Sequence, residues 1–464
     1  MTASPALPMI HHAAKSARSL GRLMAYPRLA DWLLLRGLGN YLVDRDPPWA
    51  QSLRTSLLKM GGSALPGWAL PAMAKCIQVT QKMHEGVLRA HATGEAVVWL
   101  TWPVPAAVVA AFPVTVYIPE SVYSVANASH GDGSTRMCEV ADRHGIPPEM
   151  CSINRCMLGA FLADELPTPT LCITANHPCD GNHAGNTILR ELAPCDHFSM
   201  GAAYDRSPES IALWARSVWE LIAFLEEKLG QPLDWDRLAE HAKIINRVNR
   251  ALNRITELHR NSPAPGLINA LAVFWRLVVS VGWEPALAEG AELLEKSAVA
   301  WVEDARRRQA PRERLRVVLG DQAITWTDFG PWLRREYGAT VVCDYIGHFH
   351  HPTIDLSSRE RMLEGLTLDR LHASMIRQAH GTMEYTLDEL STFLCEYDAD
   401  CVIFHGNVGC KHNLALRREI EALCRSVKVP ALFLDADIVD RRVIGEKPLR
   451  DKIRTFLAAE GLPR

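Results

Sequence analysis

The spacing of apolar residues changes period several times along the 464 positions. In Leu29–Leu42 and Trp68–Ala92 they recur three and four apart, which predicts amphipathic helices. The first dozen residues hold Pro5 and Pro8 and are expected to fray. Short apolar, β-rich runs follow at Ala96–Leu100, Val114–Ile118 and Leu171–Ala175, and these read as buried strands. Helical spacing at Thr135–His144 and Ile153–Asp164 separates them. Residues 207–308 are helical throughout. Ser207, with Glu209 and Ser210, opens a helix to about Leu229, where Gly230 stops it. Leu233–His259, Gly266–Gly282 and Glu284–Arg308 continue the pattern. Strand patterns then return at Arg316–Leu319, Thr340–Cys343, Cys401–His405 and Ala431–Leu434, alternating with helical ones at Thr327–Glu336, Leu387–Glu396, Leu414–Ser426 and Pro448–Ala459.

Strands separated by helices imply βαβ units and parallel sheets. The expected fold class is α/β, in four parts: N-terminal helices over 1–94, a first lobe over 95–206, a helical insert over 207–312 and a second lobe over 313–464. The uncharged stretch Ala96–Ile118 has the length to cross a bilayer. Pro103, Pro105 and Pro113 interrupt it, and it reads instead as strand, loop, helical turn and strand in a buried core. No membrane span is expected.

Composition narrows the picture by exclusion. A net charge of −3, with 48% apolar and 22% charged residues, describes an ordinary globular chain without a nucleic-acid-binding surface. Met1–Leu20 contains His11, His12, Lys15 and Arg18 and lacks the apolar core of a signal peptide. A cytoplasmic location follows as the expectation. There, twelve cysteines point to metal or catalysis before disulfides.

Three cysteines stand out by position. Cys151, Cys179 and Cys410 each precede the first turn of a predicted helix, and the last two follow predicted strands. A thiol so placed faces backbone N–H donors and the positive end of the helix dipole, which favours thiolate. Thiolates bind soft metals and iron–sulfur clusters. Ligands of open α/β sheets lie beyond the carboxyl ends of the strands, so a centre between the lobes is expected. Cys76, Cys138, Cys172, Cys395, Cys401 and Cys424 are assigned to packing. Cys156 lies one turn inside a helix, and Cys195 and Cys343 are the main competitors. No C-x₂-C pair suggests structural zinc. His177 and His183 flank Cys179, while His405, Lys411 and His412 flank Cys410; such groups hydrogen-bond sulfurs or substrate, or simply solvate loops. His348, His350 and His351, with Asp344, are expected on an exposed or substrate-lining loop, with a second metal as the alternative.

The segment Met150–Phe161 (MCSINRCMLGAF) resembles the C-S-x-x-R-x-x-L-G signature of the 2-hydroxyacyl-CoA dehydratase and benzoyl-CoA reductase family. Asn176–Asn182 (NHPCDGN) resembles its second cysteine motif, and Cys401–Arg442 its third. Ile153 stands where the family usually has an aromatic. Asp435 and Asp437 match its acidic strand end.

The resemblance implies two Rossmann-like lobes with an iron–sulfur cluster between them, either a 4Fe-4S cluster or a double-cubane one with eight irons. By motif its ligands are Cys151, Cys179 and Cys410, with Ser152, His405 and Lys411 as candidate catalytic residues. It implies one-electron reduction of a CoA thioester to a ketyl radical, followed by loss of the β-placed hydroxyl, or ring protonation in the reductase branch. It also implies a homologous second subunit or a homodimer, and a separate ATP-dependent iron–sulfur activator. This chain has no G-x-x-x-x-G-K-[ST] loop, so ATP chemistry belongs to a partner. Two other readings stay open: a homodimeric double-cubane reductase of small molecules, and a non-catalytic electron-transfer subunit.

Overall fold

The computed structural model describes residues 7–24, 66–121, 132–201, 205–321, 324 and 326–463. The helix expected at Leu29–Leu42 lies outside the described residues. A helix runs from Pro8 to Met24, so the expectation that the first dozen residues fray is corrected from residue 8 onward. Pro8 suits the first helical position, where no N–H is needed, and Met9 and Ile10 are buried. This helix packs on Leu70–Thr93, whose other side meets Pro285–Arg307 of the insert. Trp68 and Trp301 stack at that junction, with ring centroids 6.3 Å apart.

Two all-parallel four-stranded sheets carry the α/β architecture. The first contains β1 (Val97–Leu100), β2 (Thr115–Tyr117), β3 (Leu171–Ala175) and β4 (Asp196–Met200), in the order β2-β1-β3-β4. The second contains β5 (Leu315–Leu319), β6 (Ala339–Asp344), β7 (Cys401–Asn407) and β8 (Ala431–Ala436), in the order β6-β5-β7-β8. Central strands β1, β3, β5 and β7 are buried along their whole length, which is why they read as mainly apolar runs, interrupted by Thr174, Arg316, His405 and Asn407. β4 escaped the pattern because it is an edge strand, DHFSM, with most side chains partly exposed. Ala96–Ile118 folds as β1, a turn of helix at Ala106–Ala110 and β2, and no described helix is long and apolar enough to cross a membrane.

The insert is made of helices Pro208–Leu229, Trp235–Leu258, Ile268–Val281 and Pro285–Arg307. Its first helix begins as its sequence indicates: the Ser207 hydroxyl accepts the Ser210 N–H at 3.2 Å, and Gly230 closes it in the left-handed conformation, φ 66°. The apolar faces of these helices merge with the first sheet in one core. Helices Arg359–Leu371 and Ile376–Ala379, absent from the sequence reading, lie between β6 and β7.

Candidate functional site

Each sheet reverses its order of strand addition between its two central strands, β1 and β3 in one and β5 and β7 in the other. That reversal leaves a crevice at the carboxyl ends, the usual place for a ligand. Cys179 lies four residues past β3, immediately before the helix Asp180–Leu192. Cys410 follows β7, before the helical turn Lys411–Ala415. Cys151 precedes the helix Ser152–Leu162. All three line one cleft of about 710 Å³, open to solvent. Asp321 beyond β5, Tyr345 beyond β6 and Asn407 at the end of β7 complete its second-lobe wall.

Glycine brings the loops together. A methyl group at Gly409 would stand 2.8 Å from both Cys151 Cα and the Met150 carbonyl oxygen, closer than real side chains come. At Gly181 it would meet Cys151 Cβ at 3.1 Å. The loops of Cys179 and Cys410 therefore both press on the Cys151 loop; at Gly409 only a residue without Cβ permits it, and at Gly181 a Cβ would need its neighbour to give by a few tenths of an ångström.

The electrostatics contain a contest. Burial pushes Cys151 up to about 12, and neighbouring Cys179 adds to this, while the N–H groups of Ile153 and Asn154 pull it down. Cys179 is raised to about 11 by burial, against the N–H of Asn182. Cys410 lies well above the thiol range through burial and the charge of Asp321, against the N–H of Asn413. The helix-start donors expected from sequence are in place, but desolvation outweighs them. Such thiols give up their protons when a metal takes the protons' place.

A frame of charges fixes the Cys151 loop across the lobes. Buried Arg155 donates to Asp142 at 2.8 Å, to Asp440 of the second lobe at 3.2 Å and to the Met150 carbonyl at 3.2 Å. Arg442 donates to Asp142 and Asp440, each at 2.8 Å. Asp437 accepts the N–H groups of Val439 and Asp440 at 2.8 and 2.7 Å, shaping the loop that carries Asp440. Of the acidic strand end, Asp437 thus orients a loop, while exposed Asp435 lies 3.5 Å from Arg417.

Among the sequence-derived catalytic candidates, only Lys411 lines the cleft, at its rim, paired with Asp180 at 2.9 Å. Ser152 is buried beside Asp437, and His405 is buried within β7; neither lines the cleft. Of the other flanking histidines, His412 lines it and buried His177 packs on Trp214. In the histidine-rich segment His350 is exposed as expected, and the other two histidines depart from expectation. His348 and His351 are buried rather than exposed, because each is held by a carboxylate: His348 by Glu389 at 3.0 Å and His351 by Asp369 at 2.7 Å. Cys395 is exposed and does not pack. Cys343 is buried in β6, and Cys195 rests 3.6 Å from His197; neither lines the cleft.

Several residues of the site carried little sequence signal. Glu120 is buried beyond β2, accepts the Trp102 N–H at 2.9 Å and an Asn182 amide proton, and is raised by burial to about 8. Its only trace was an acid at the end of an apolar run. Tyr345 Oη and Asn407 Oδ1 are buried and have no hydrogen-bond partner among the described residues. Such groups are costly unless a ligand completes them.

The donor set bears on which metal centre fits. Among the described residues, no three His, Cys, Asp or Glu side chains close around one point as a single ion requires. In an iron–sulfur cluster the cysteine sulfurs bind different irons and are spread around a larger body. Three thiols around one cleft fit that demand.

Comparison with known proteins agrees in its broad outline. The chain is 27% identical over 213 residues to the lactoyl-CoA dehydratase subunit alpha of Anaerotignum propionicum, covering 40% of this chain. It spans about half the length of that relative, 49%. Residues 101–458 match the family described as 2-hydroxyglutaryl-CoA dehydratase, D-component, a span that includes every strand except β1, the insert and all three cleft cysteines. With most of its length matched, the chain belongs to the 2-hydroxyglutaryl-CoA dehydratase D-component family.

Proposed function

We propose that this chain is the iron–sulfur subunit of a 2-hydroxyacyl-CoA dehydratase, with Cys151, Cys179 and Cys410 as cluster ligands. The observation that carries the reading is the convergence of these thiols, from three loops and both lobes, on one cleft at the carboxyl ends of the sheets. A cluster held by these three thiols would supply low-potential electron transfer and a Lewis-acidic iron. The rest is the work of side chains. Lys411 and His412 stand at the mouth, where an anionic thioester enters. Ile153, Ile346 and Met375 wall the interior and keep water from the reacting carbon. Tyr345 Oη and Asn407 Oδ1 line the cleft without hydrogen-bond partners among the described residues, and they orient the substrate's oxygens. Glu120, its carboxyl raised toward neutrality, holds a proton behind Ile153.

A second, homologous subunit and an ATP-dependent activator belong to this reading. The relative is named a subunit, and this sequence has no ATP-binding loop of the Walker type.

The test is anaerobic reconstitution followed by iron and sulfide analysis and electron paramagnetic resonance. Cys410→Ala is expected to lose the cluster, and Cys424→Ala, buried outside the cleft, to keep it. Equal iron in the two variants would refute the ligand assignment. With activator and reductant, dehydration of a 2-hydroxyacyl-CoA supports the dehydratase; a dienoyl product from an aryl-CoA would replace it with the reductase.

A further inference from the structure

A second cavity, of about 410 Å³ counting the part open to solvent, adjoins the cysteine cleft. Its walls are largely apolar, built from Trp102, Ile118, Trp275 and Val279, and all four side chains are buried. Trp102 and Trp275 face each other with centroids 5.9 Å apart. Glu120, Ser121, Arg276 and Ser280 add polar groups to the lining. Two side chains, Ile153 and Met375, line this cavity and the cysteine cleft alike, so they form the partition between them.

Met375 is placed there at a cost. Its φ of 70° and ψ of −41° lie in a region that side-chain-bearing residues rarely enter. The surroundings hold it: its N–H donates to the Gln378 side chain at 2.5 Å, and its carbonyl accepts the Ala379 N–H at 2.9 Å. Gln378 is buried in turn, and its carbonyl accepts the Thr386 hydroxyl at 3.0 Å. Strain kept up by neighbours on a cavity wall marks a residue whose position matters more than its comfort.

We infer that Ile153 and Met375 set the length of the acyl chain this site accepts. The inference rests on the proposed function, since it needs a thioester in the cysteine cleft. The distal carbons of a short acyl group end against the two side chains. The apolar chamber beyond is the space a longer hydrocarbon tail would fill once the partition is trimmed. The ligand class is therefore a short-chain 2-hydroxyacyl thioester for the natural chain and a medium-chain one for the trimmed variants.

The experiment measures binding of 2-hydroxybutanoyl-CoA and 2-hydroxyoctanoyl-CoA to the anaerobic, assembled enzyme by calorimetry, alongside turnover. The natural enzyme is expected to favour the four-carbon chain. Met375→Ala and Ile153→Ala are each expected to shift the affinity ratio toward the eight-carbon chain by roughly tenfold, the scale of added methylenes in a fitted pocket. The ratio is its own control, because a general loss of structure lowers both affinities. A ratio within about twofold of the natural enzyme's in both variants, with their unfolding transitions intact, overturns the inference alone. Binding of neither thioester by the natural enzyme overturns the functional reading as well.

Discussion

Gly409 lies against Cys151 so closely that a single added methyl would sit 2.8 Å from the cysteine's Cα. The residue before one cleft cysteine therefore fixes the backbone that carries another, across the boundary between lobes. Gly409→Ala should force the loops apart and lower the iron bound per chain after anaerobic reconstitution by half or more. Gly86→Ala, in a helix with open space at that point, is the comparison and should leave iron content unchanged. Full iron in Gly409→Ala would mean that the contact does not govern the site.

The Arg155 frame leads to a stability prediction. Replacing Arg155 by Met leaves Asp440 buried without its cross-lobe cation, and losing one partner of a buried pair costs about 3–5 kcal/mol. A lower thermal midpoint is expected, with partial recovery when Asp440→Asn is added. Arg442 also holds Asp440, so the loss should fall toward the lower end of that range. An unchanged midpoint would count against the frame.

Lys411 should behave in the opposite way. Its pair with Asp180 is exposed on both sides, with side-chain exposures of 70% and 56%. Lys411→Ala is therefore expected to leave the thermal midpoint essentially unchanged. It should still raise KM for an anionic thioester, most at low ionic strength, where screening is weakest. A KM indifferent to both the substitution and salt would remove Lys411 from the binding role.

Glu120 gives a pH dependence whose sign can be worked out. Burial lifts its carboxyl from the ordinary value of 4.5 to about 8, so between those values the folded protein holds a proton that the unfolded chain has released. Its contribution to stability then falls as pH rises through that window. Measured against Glu120→Gln, the natural protein's thermal midpoint should drop between about pH 5 and pH 8. The Gln variant has its own cost: both Glu120 oxygens accept N–H donors, and an amide nitrogen would face one of them. A difference that stays flat with pH would show that Glu120 does not titrate in this range.

How much of this was legible in the sequence depended on what each residue faces. The central strands announced themselves because both faces of each sheet are covered, leaving mainly apolar runs such as Leu171–Ala175 and Cys401–Gly406. Edge strand β4 did not, since half-solvated positions admit Asp196, His197 and Ser199. Helix starts after Cys151, Cys179 and Cys410 were readable from local pattern, and so was the expectation of donors there. The outcome of the contest at those thiols was not, because desolvation depends on what the rest of the chain stacks above them. The histidines misled for a related reason. His348 and His351 look like a surface metal motif until Glu389 and Asp369, from helices later in the chain, close over them. Tyr345, Asn407 and Met375 gave no signal at all, since an orphaned hydroxyl or a strained backbone exists only in three dimensions.

The division of the thiols between lobes also orders events in time. Cys151 and Cys179 leave the ribosome early, whereas Cys410 follows only after the whole helical insert and most of the second sheet have been made. A half-made chain would present two thiols of an incomplete set. Any centre bound by all three forms only once Cys410 has been made, so under the proposed function a truncation before that cysteine yields a chain that cannot hold the cluster.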